Sequence, residues 1–326
     1  MKRKISKQLD LFNINNDKKN LNIKILHPYK FIDLFSGIGG FRIALELVGG
    51  KCVFSSEIDK AAQQTYQNNF GKKPHGDITQ IEAHDIPKHD ILIGGFPCQA
   101  FSIAGKRQGF EDTRGTLFFD VARILKEKQP KAFILENVRG LVSHNKGKTL
   151  KTIMEVLDNV GYTTNYRCLN AKNYGVPQNR DRWYCIGFRK DLDVDFDGHQ
   201  VNAYQFPKAR PLTITLKDII EPKVLKQYGI SATALSHMKN HYKLKRLSLL
   251  EDRYTLAYEI RRSRCSFSQH VYSPCLTAKM GTGGNNIPVI FELERKLTER
   301  ECLRIMGFPK WFQIEQLKQS SYKQIG

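Results

Sequence analysis

Phe31-Ile32-Asp33-Leu34-Phe35-Ser36-Gly37-Ile38-Gly39-Gly40-Phe41 carries an apolar run into three glycines, then into Arg42-Ile43-Ala44-Leu45-Glu46, whose apolar spacing is helical. Strand, glycine turn and helix N-terminus in that order make the nucleotide-binding corner of a doubly wound α/β sheet. The spacing is not the pyrophosphate fingerprint, so the corner alone leaves the ligand open. Working outward, Cys52-Val53-Phe54-Ser55-Ser56, Asp90-Ile91-Leu92-Ile93-Gly94 and Ala132-Phe133-Ile134-Leu135 read as further strands. Helical patterns such as Leu117 to Leu125 alternate with them from Tyr29 to about Lys208. That is the rhythm of a parallel α/β sheet.

The chemistry-bearing residues stand where two of these strands end. In Gly95-Phe96-Pro97-Cys98-Gln99, Pro97 cannot extend a sheet ladder, so Cys98 falls just past the carboxyl end of its strand. Open α/β sheets place their chemistry there. An isolated cysteine is more often a buried packing residue than a nucleophile. The following stretch, Ala100 to Gly109, is basic and holds two glycines, the composition of a lid over 99–115. Glu136, closing the Ala132–Leu135 run, reads as a helix cap, a surface charge or a functional carboxylate.

Composition points to a polyanionic partner. The 326 residues contain 52 Lys and Arg against 32 Asp and Glu, a net charge of +20. No apolar run is long enough to span a membrane, and residues 1–30 lack the apolar centre of a secretory signal. Seven cysteines, at 52, 98, 168, 185, 265, 275 and 302, show no paired metal-site spacing, so no metal is expected. An odd, scattered count suits a reducing compartment. Residues 1–28, rich in Lys and Asn, read as a flexible basic arm in which Leu9, Leu11 and Phe12 are too few for a core. Beyond Arg210 the α/β rhythm stops. Residues 208–270 hold 13 Lys and Arg against 5 Asp and Glu, interleaved with Tyr228, Tyr242, Tyr254, Tyr258 and Phe267.

Taken in order, these segments resemble the DNA (cytosine-5)-methyltransferases. The resemblance rests on the glycine corner, Glu57-Ile58-Asp59, Gly76-Asp77-Ile78-Thr79, Gly95-Phe96-Pro97-Cys98-Gln99 and Glu136-Asn137-Val138. It continues through Gln178-Asn179-Arg180-Asp181-Arg182 and the late Arg295-Lys296-Leu297-Thr298-Glu299-Arg300-Glu301-Cys302 with Met306-Gly307-Phe308-Pro309. It implies a Rossmann-like S-adenosylmethionine-dependent methyltransferase sheet with a smaller target-recognition domain. The expected division is a catalytic lobe over 29–209, completed by 319–326, and a recognition lobe over 210–318.

The resemblance also implies roles. Carbon 5 of cytosine is too weak a nucleophile to take a methyl group unaided, and a thiolate adding to carbon 6 activates it. Cys98 is expected to be that nucleophile, acting on a base extruded from double-stranded DNA. Glu136 would hold the exocyclic amine and nitrogen 3, with Arg182 and Arg180 helping to fix the base. S-adenosylmethionine is expected against Phe35, Gly37, Ile38 and Gly40, with Gly95, Pro97 and Leu117 also lining it. Glu57 would take the ribose, Ile58 and Ile78 the adenine faces, and Asp77 the adenine amino group. Gln99, Ser102, Arg261, Arg262, Arg264 and Thr277 are the expected DNA contacts.

Two departures accompany the match. The family's Pro-Thr-Leu-Thr is here Pro274-Cys275-Leu276-Thr277. Tyr322-Lys323-Gln324-Ile325-Gly326 reads as the opening of the last family motif, normally continued by Asn-Ser-Val and a returning helix. The expectation is a truncated gene or chain, or a second polypeptide that completes the fold. A cognate restriction endonuclease would be a genetic partner, and the site of action bacterial cytoplasm. Two rival readings are a catalytically weak DNA-binding subunit and a tRNA cytosine methyltransferase. The latter branch usually carries a Cys-Phe-Thr element, which does not occur here.

Overall fold

The computed structural model describes residues 28–97, 117–192, 204–282, 287–316 and 318–326. These residues form two compact units, 28–169 with Asp181–Lys208, and Asn170–Arg180 with Ala209–Gly326. Residues 319–326, expected to complete the sheet lobe, group with the second unit, as do residues 170–180.

The first unit is built on β1 (Lys30–Leu34), β2 (Lys51–Ser56), β3 (Ile91–Gly95), β4 (Ala132–Val138), β5 (Tyr162–Asn170) and β6 (Asp181–Arg189). Among the described residues these strands form one sheet in the order β2-β1-β3-β4-β6-β5. β1 pairs parallel with β2 and β3, and β3 pairs parallel with β4. β6 runs antiparallel to β4, so the sheet is mixed where the strand rhythm suggests a wholly parallel one. β4 also runs on to Val138, because Glu136, Asn137 and Val138 pair with Tyr184, Trp183 and Arg182. Glu136 therefore lies inside the strand.

Among the described residues the α-helices of this unit are α1 (Gly40–Leu47), α2 (Lys60–Phe70), α3 (Leu117–Lys128) and α4 (Lys148–Asn159). Asp59 caps α2 by accepting from Ala61 and Ala62 N–H, and Gly71 ends it in the left-handed region at φ 71°. Phe118, Val121, Ile124 and Leu125 of α3 recur at helical spacing and bury against Leu92, Phe133 and Leu135. Each such side chain contributes roughly 1.5–3 kcal/mol through burial. This core holds the carboxyl ends of β1, β3 and β4 in fixed register.

The second unit contains α5 (Leu216–Ile219), α6 (Ala232–Leu244), α7 (Glu299–Ile305) and α8 (Gln319–Ile325). Its antiparallel sheet has the order β10-β9-β7-β8, formed by β7 (Leu256–Tyr258), β8 (Ser266–Ser268), β9 (Val289–Ile290) and β10 (Arg295–Lys296). Met238 of α6 packs on Ala257, Ile260, Cys265 and Val289. Arg295, buried, pairs with the fully buried Glu301 at 2.7 Å and also donates to the Glu221 carbonyl. Thr298 and Glu301 form a capping box at the start of α7, so one carboxylate serves both the ion pair and the helix end.

Candidate active site

The glycine corner is held open by Glu57. Phe35 (φ 55°), Gly37 (φ 53°) and Gly39 (φ 93°) all take left-handed backbone. Gly37 N–H donates to Glu57 Oε2 and Asp59 N–H to Glu57 Oε1, both at 2.8 Å. Gly39 has no room for a side chain: a Cβ there would lie 2.3 Å from the Phe70 ring. The hydroxyls of Ser36 and Ser56 beside this turn are buried without a hydrogen-bond partner. Asp77 accepts from Thr79 N–H and caps a short 3-10 turn, in which Ile78 is buried. Ile58 is 69% exposed, whereas Ile38 is buried. Leu117 is half-buried at the start of α3, and Gly40 opens α1.

Glu136 stands opposite Gly95 in the β3–β4 register. Its Oε1 lies 2.8 Å from Arg182 Nε. Its Oε2 lies so near Gly95 that a Cβ at that position would be 3.2 Å away, with the Phe41 ring 3.7 Å off. Two neighbouring strands, β3 through Gly95 and β6 through Arg182, thus meet this one carboxylate. Asn137, buried, donates from Nδ2 to the Phe96 carbonyl at 2.8 Å, which ties the Phe96-Pro97 exit of β3 to β4. Asn137 and Phe41 stand within the sequence motifs without an assigned role, because a motif does not say which member faces which neighbour. Cys98, Gln99 and Ser102 lie outside the described residues, as do the proposed lid at 99–115 and the arm ahead of Pro28.

The described cysteines are poor nucleophiles where burial acts on them. Burial pushes the thiols of Cys52 and Cys265 up to about 11. It also raises those of Cys168, Cys185 and Cys302. Among the described residues no group of three or more metal-ligating side chains comes together.

In the second unit, Arg180 donates from Nη1 to the Leu276 carbonyl at 3.0 Å and to the Gly326 carbonyl at 3.3 Å. Arg180 and Arg182, two residues apart, therefore serve different partners. Gln178 accepts from Leu276 N–H at 3.2 Å, so the same motif grips this segment twice. Thr277 is exposed next to it. Arg261, Arg262 and Arg264 are exposed on the turn between β7 and β8, closed by Arg261 N–H donating to the Arg264 carbonyl at 2.8 Å. Arg264 is also paired with Glu259 at 2.7 Å.

Residues 29–326 match the family described as C-5 cytosine-specific DNA methylase. The chain is 42% identical over 311 residues to the Type II methyltransferase M.HhaI of Haemophilus parahaemolyticus, covering 93% of this chain and 91% of that protein. It is 42% identical over 324 residues to M.HpaII of Haemophilus parainfluenzae, covering 94% and 87%. To M.NgoBI of Neisseria gonorrhoeae it is 46% identical over 287 residues, covering 88% and 84%. In fold it is similar to a crystal structure of Spodoptera frugiperda DNMT2, with TM-score 0.66 at 22% identity over 91% of this chain and 95% of that one. The family match runs from the first strand to the last residue, and the chain belongs to the C-5 cytosine-specific DNA methylases.

Proposed function

We propose that this chain methylates carbon 5 of cytosine in double-stranded DNA as the modification enzyme of a restriction-modification system, with Cys98 as nucleophile. The observation that carries the reading is the Glu136–Arg182 pair at 2.8 Å, in register with the strand that runs into Pro97-Cys98. The family description agrees with the substrate, and the three relatives compared above are Type II methyltransferases. Arg261, Arg262, Arg264 and Thr277 are proposed to meet DNA, supported by their exposure and by the chain's +20 charge. A cognate endonuclease would be the genetic partner and bacterial cytoplasm the site of action. Among the described residues no helix is long and apolar enough to cross a membrane.

The residues at the glycine corner fit S-adenosylmethionine as methyl donor. Two buried hydroxyls, Ser36 and Ser56, have no partner among the described residues, and a Cβ added at Gly37 would meet nothing within 4 Å, so the turn leaves space beside Glu57. Glu57 would hold the ribose, Ile58 and Ile78 the adenine, and Asp77 its amino group, with Phe35, Ile38, Gly40, Gly95, Pro97 and Leu117 around them. When bound, the donor supplies an electrophilic methyl group.

The chain's own residues perform the rest. The target base must leave the stack, since carbon 6 is out of reach within the duplex. The Cys98 sulfur bonds to carbon 6, and the ring's electron pair moves to carbon 5. Glu136 accepts from the exocyclic amine and delivers a proton to nitrogen 3 as negative charge develops there. Arg182 keeps the Glu136 side chain in one rotamer, and Gly95 leaves space for its second oxygen. After transfer, carbon 5 gives up its proton to solvent, nitrogen 3 returns its proton to Glu136, and the carbon–sulfur electron pair leaves with Cys98 as thiolate, so aromaticity returns.

The test is a duplex carrying 5-fluorocytosine, incubated with the full chain and donor, followed by peptide mass mapping. Fluorine cannot leave as a proton does, so a covalent adduct at Cys98 is expected, and none with Cys98→Ser. An adduct at any other cysteine overturns the assignment.

A further inference from the structure

Among the described residues, Asp33 is the one carboxylate with both oxygens buried and neither hydrogen-bonded. It lies near the end of β1, opposite Ser55 of β2 and the uncharged Ile93 of β3. The ionisable groups facing it are Arg42 and Glu46 of α1, Cys52 of β2, Glu57 just beyond β2, and Tyr66 of α2. Arg42 is the obvious counter-ion, yet its guanidinium is used elsewhere. Nε donates to Glu46 at 2.8 Å, Nη1 to the Tyr66 hydroxyl at 3.2 Å, and its carbon sits 4.3 Å over the Phe70 ring. Glu46 and Glu57 both oppose ionisation of Asp33, and desolvation opposes it most, raising its pKa to about 8. An ionised carboxylate left in such a place is costly, and the compensation on hand, the Coulombic pull of Arg42, is outweighed by desolvation and comes without a hydrogen bond to either oxygen.

Asp33 stands two residues before Phe35, where the glycine corner begins, and is coupled electrostatically to Glu57, which shapes that corner. We infer that Asp33 is the counter-group for the positive sulfonium of S-adenosylmethionine, so that binding the donor expels its proton, binding the product does not, and the donor-to-product affinity ratio rises with pH. The inference rests on the cofactor placement proposed above. Donor and product, S-adenosylhomocysteine, share the adenosine and amino-acid parts. They differ by one methyl group and one positive charge on sulfur. In a desolvated bed that charge favours the Asp33 carboxylate, and the proton passes to the buffer. When the neutral thioether remains after transfer, Asp33 takes a proton back, and product is released from a site that no longer favours it.

The pH dependence follows. Cys52 and Tyr66 are pushed up and stay neutral between pH 6 and 9, and Arg42 stays charged. The sulfonium makes the donor's amino group more acidic than the product's, and Asp33→Asn, which keeps that contribution, is the reference against which the Asp33 part is read. If the sulfonium lowers the Asp33 pKa by about one unit, preference for donor over product rises about fivefold to tenfold from pH 6 to pH 9.

Isothermal titration of the full chain with donor and with product, at pH 6 to 9 in buffers of different ionisation enthalpy, tests this. Donor is expected to release about half a proton more than product near pH 7.5. Asp33→Asn should lose that half proton and the matching part of the pH dependence, leaving only what the ligands' own amino groups contribute. Difference infrared spectra of wild-type protein labelled at aspartate give a second readout: the protonated carboxyl band should fade on adding donor and persist on adding product. Equal proton release by the two ligands, an unchanged band, or a wild-type difference in a folded Asp33→Asn protein overturns the inference. Glu57→Ala separates the two failures. If it weakens neither ligand, the cofactor placement is wrong; if it weakens both while donor and product release protons equally, only the role of Asp33 is wrong.

Discussion

Arg182 Nε lies 2.8 Å from Glu136 Oε1 across the antiparallel β4–β6 pair, where Glu136 is in register with Tyr184 and Val138 with Arg182. The arginine thus reaches diagonally from the next inward position. An antiparallel neighbour is what allows this reach, and the alternating helix–strand rhythm does not suggest that pairing.

Arg182→Ala should leave Glu136 without the group that fixes its rotamer. About a hundredfold loss in the single-turnover methylation rate is expected, the scale for removing one oriented donor from a site that develops charge. Arg182→Lys keeps the charge but loses the planar fork, and should recover only part of that rate. Rapid-quench methylation with saturating DNA and donor measures it. Wild-type rates in the alanine variant would show that Glu136 needs no support from β6.

Glu57 has two duties, and they can be separated. Its carboxylate accepts from Gly37 and Asp59 N–H, so Glu57→Ala should both loosen the corner and remove the proposed ribose acceptor. Donor affinity should fall by roughly 1–3 kcal/mol, the range for lost hydrogen bonds to a charged group. Glu57→Gln keeps one acceptor oxygen and should lose less. Titration calorimetry checks both, and DNA sequence preference should not change in either variant.

Much of the first unit was legible because its signals are local. Glycines at 37 and 39 mark left-handed backbone, and Asp59 and Gly71 mark the two ends of α2. Strand direction is not local: β6 reads as an apolar strand whichever way it runs, so the mixed sheet had to come from the structure. The same limit hides partners. Nothing in Gln178-Asn179-Arg180-Asp181-Arg182 tells that Arg182 faces Glu136 while Arg180 faces the Leu276 carbonyl. Asp33 was hidden differently, as a lone polar letter inside the apolar run Phe31 to Phe35 that otherwise reads as core.

Arg180 is expected to act on the recognition segment through backbone carbonyls. It donates to both Leu276 and Gly326, and Gln178 holds the Leu276 N–H beside it. Arg180→Ala should release the segment that presents Thr277 and weaken DNA affinity by about tenfold, with smaller change in donor affinity. Fluorescence anisotropy with duplex DNA, set beside calorimetry with donor, reads the split. Equal losses for both ligands would mean that Arg180 supports the fold in general.

Asp33 also carries a stability signature that requires no ligand. Its folded pKa of about 8 stands above an unfolded value of about 4, so folding takes up a proton between those limits. Its contribution is fully present below pH 4 and is lost as pH rises towards and through 8. Asp33→Asn has nothing to ionise at that position and should lack this part of the decline, even if its buried amide costs something at every pH. Urea unfolding at pH 5, 6, 7, 8 and 9 therefore compares slopes rather than absolute stabilities. The wild-type minus variant difference should fall steadily to pH 8 and level off above it, by a few kcal/mol (roughly 1.4 per unit at most). A difference that stays flat with pH would mean Asp33 is already ionised in the folded protein, stabilised by Arg42 after all.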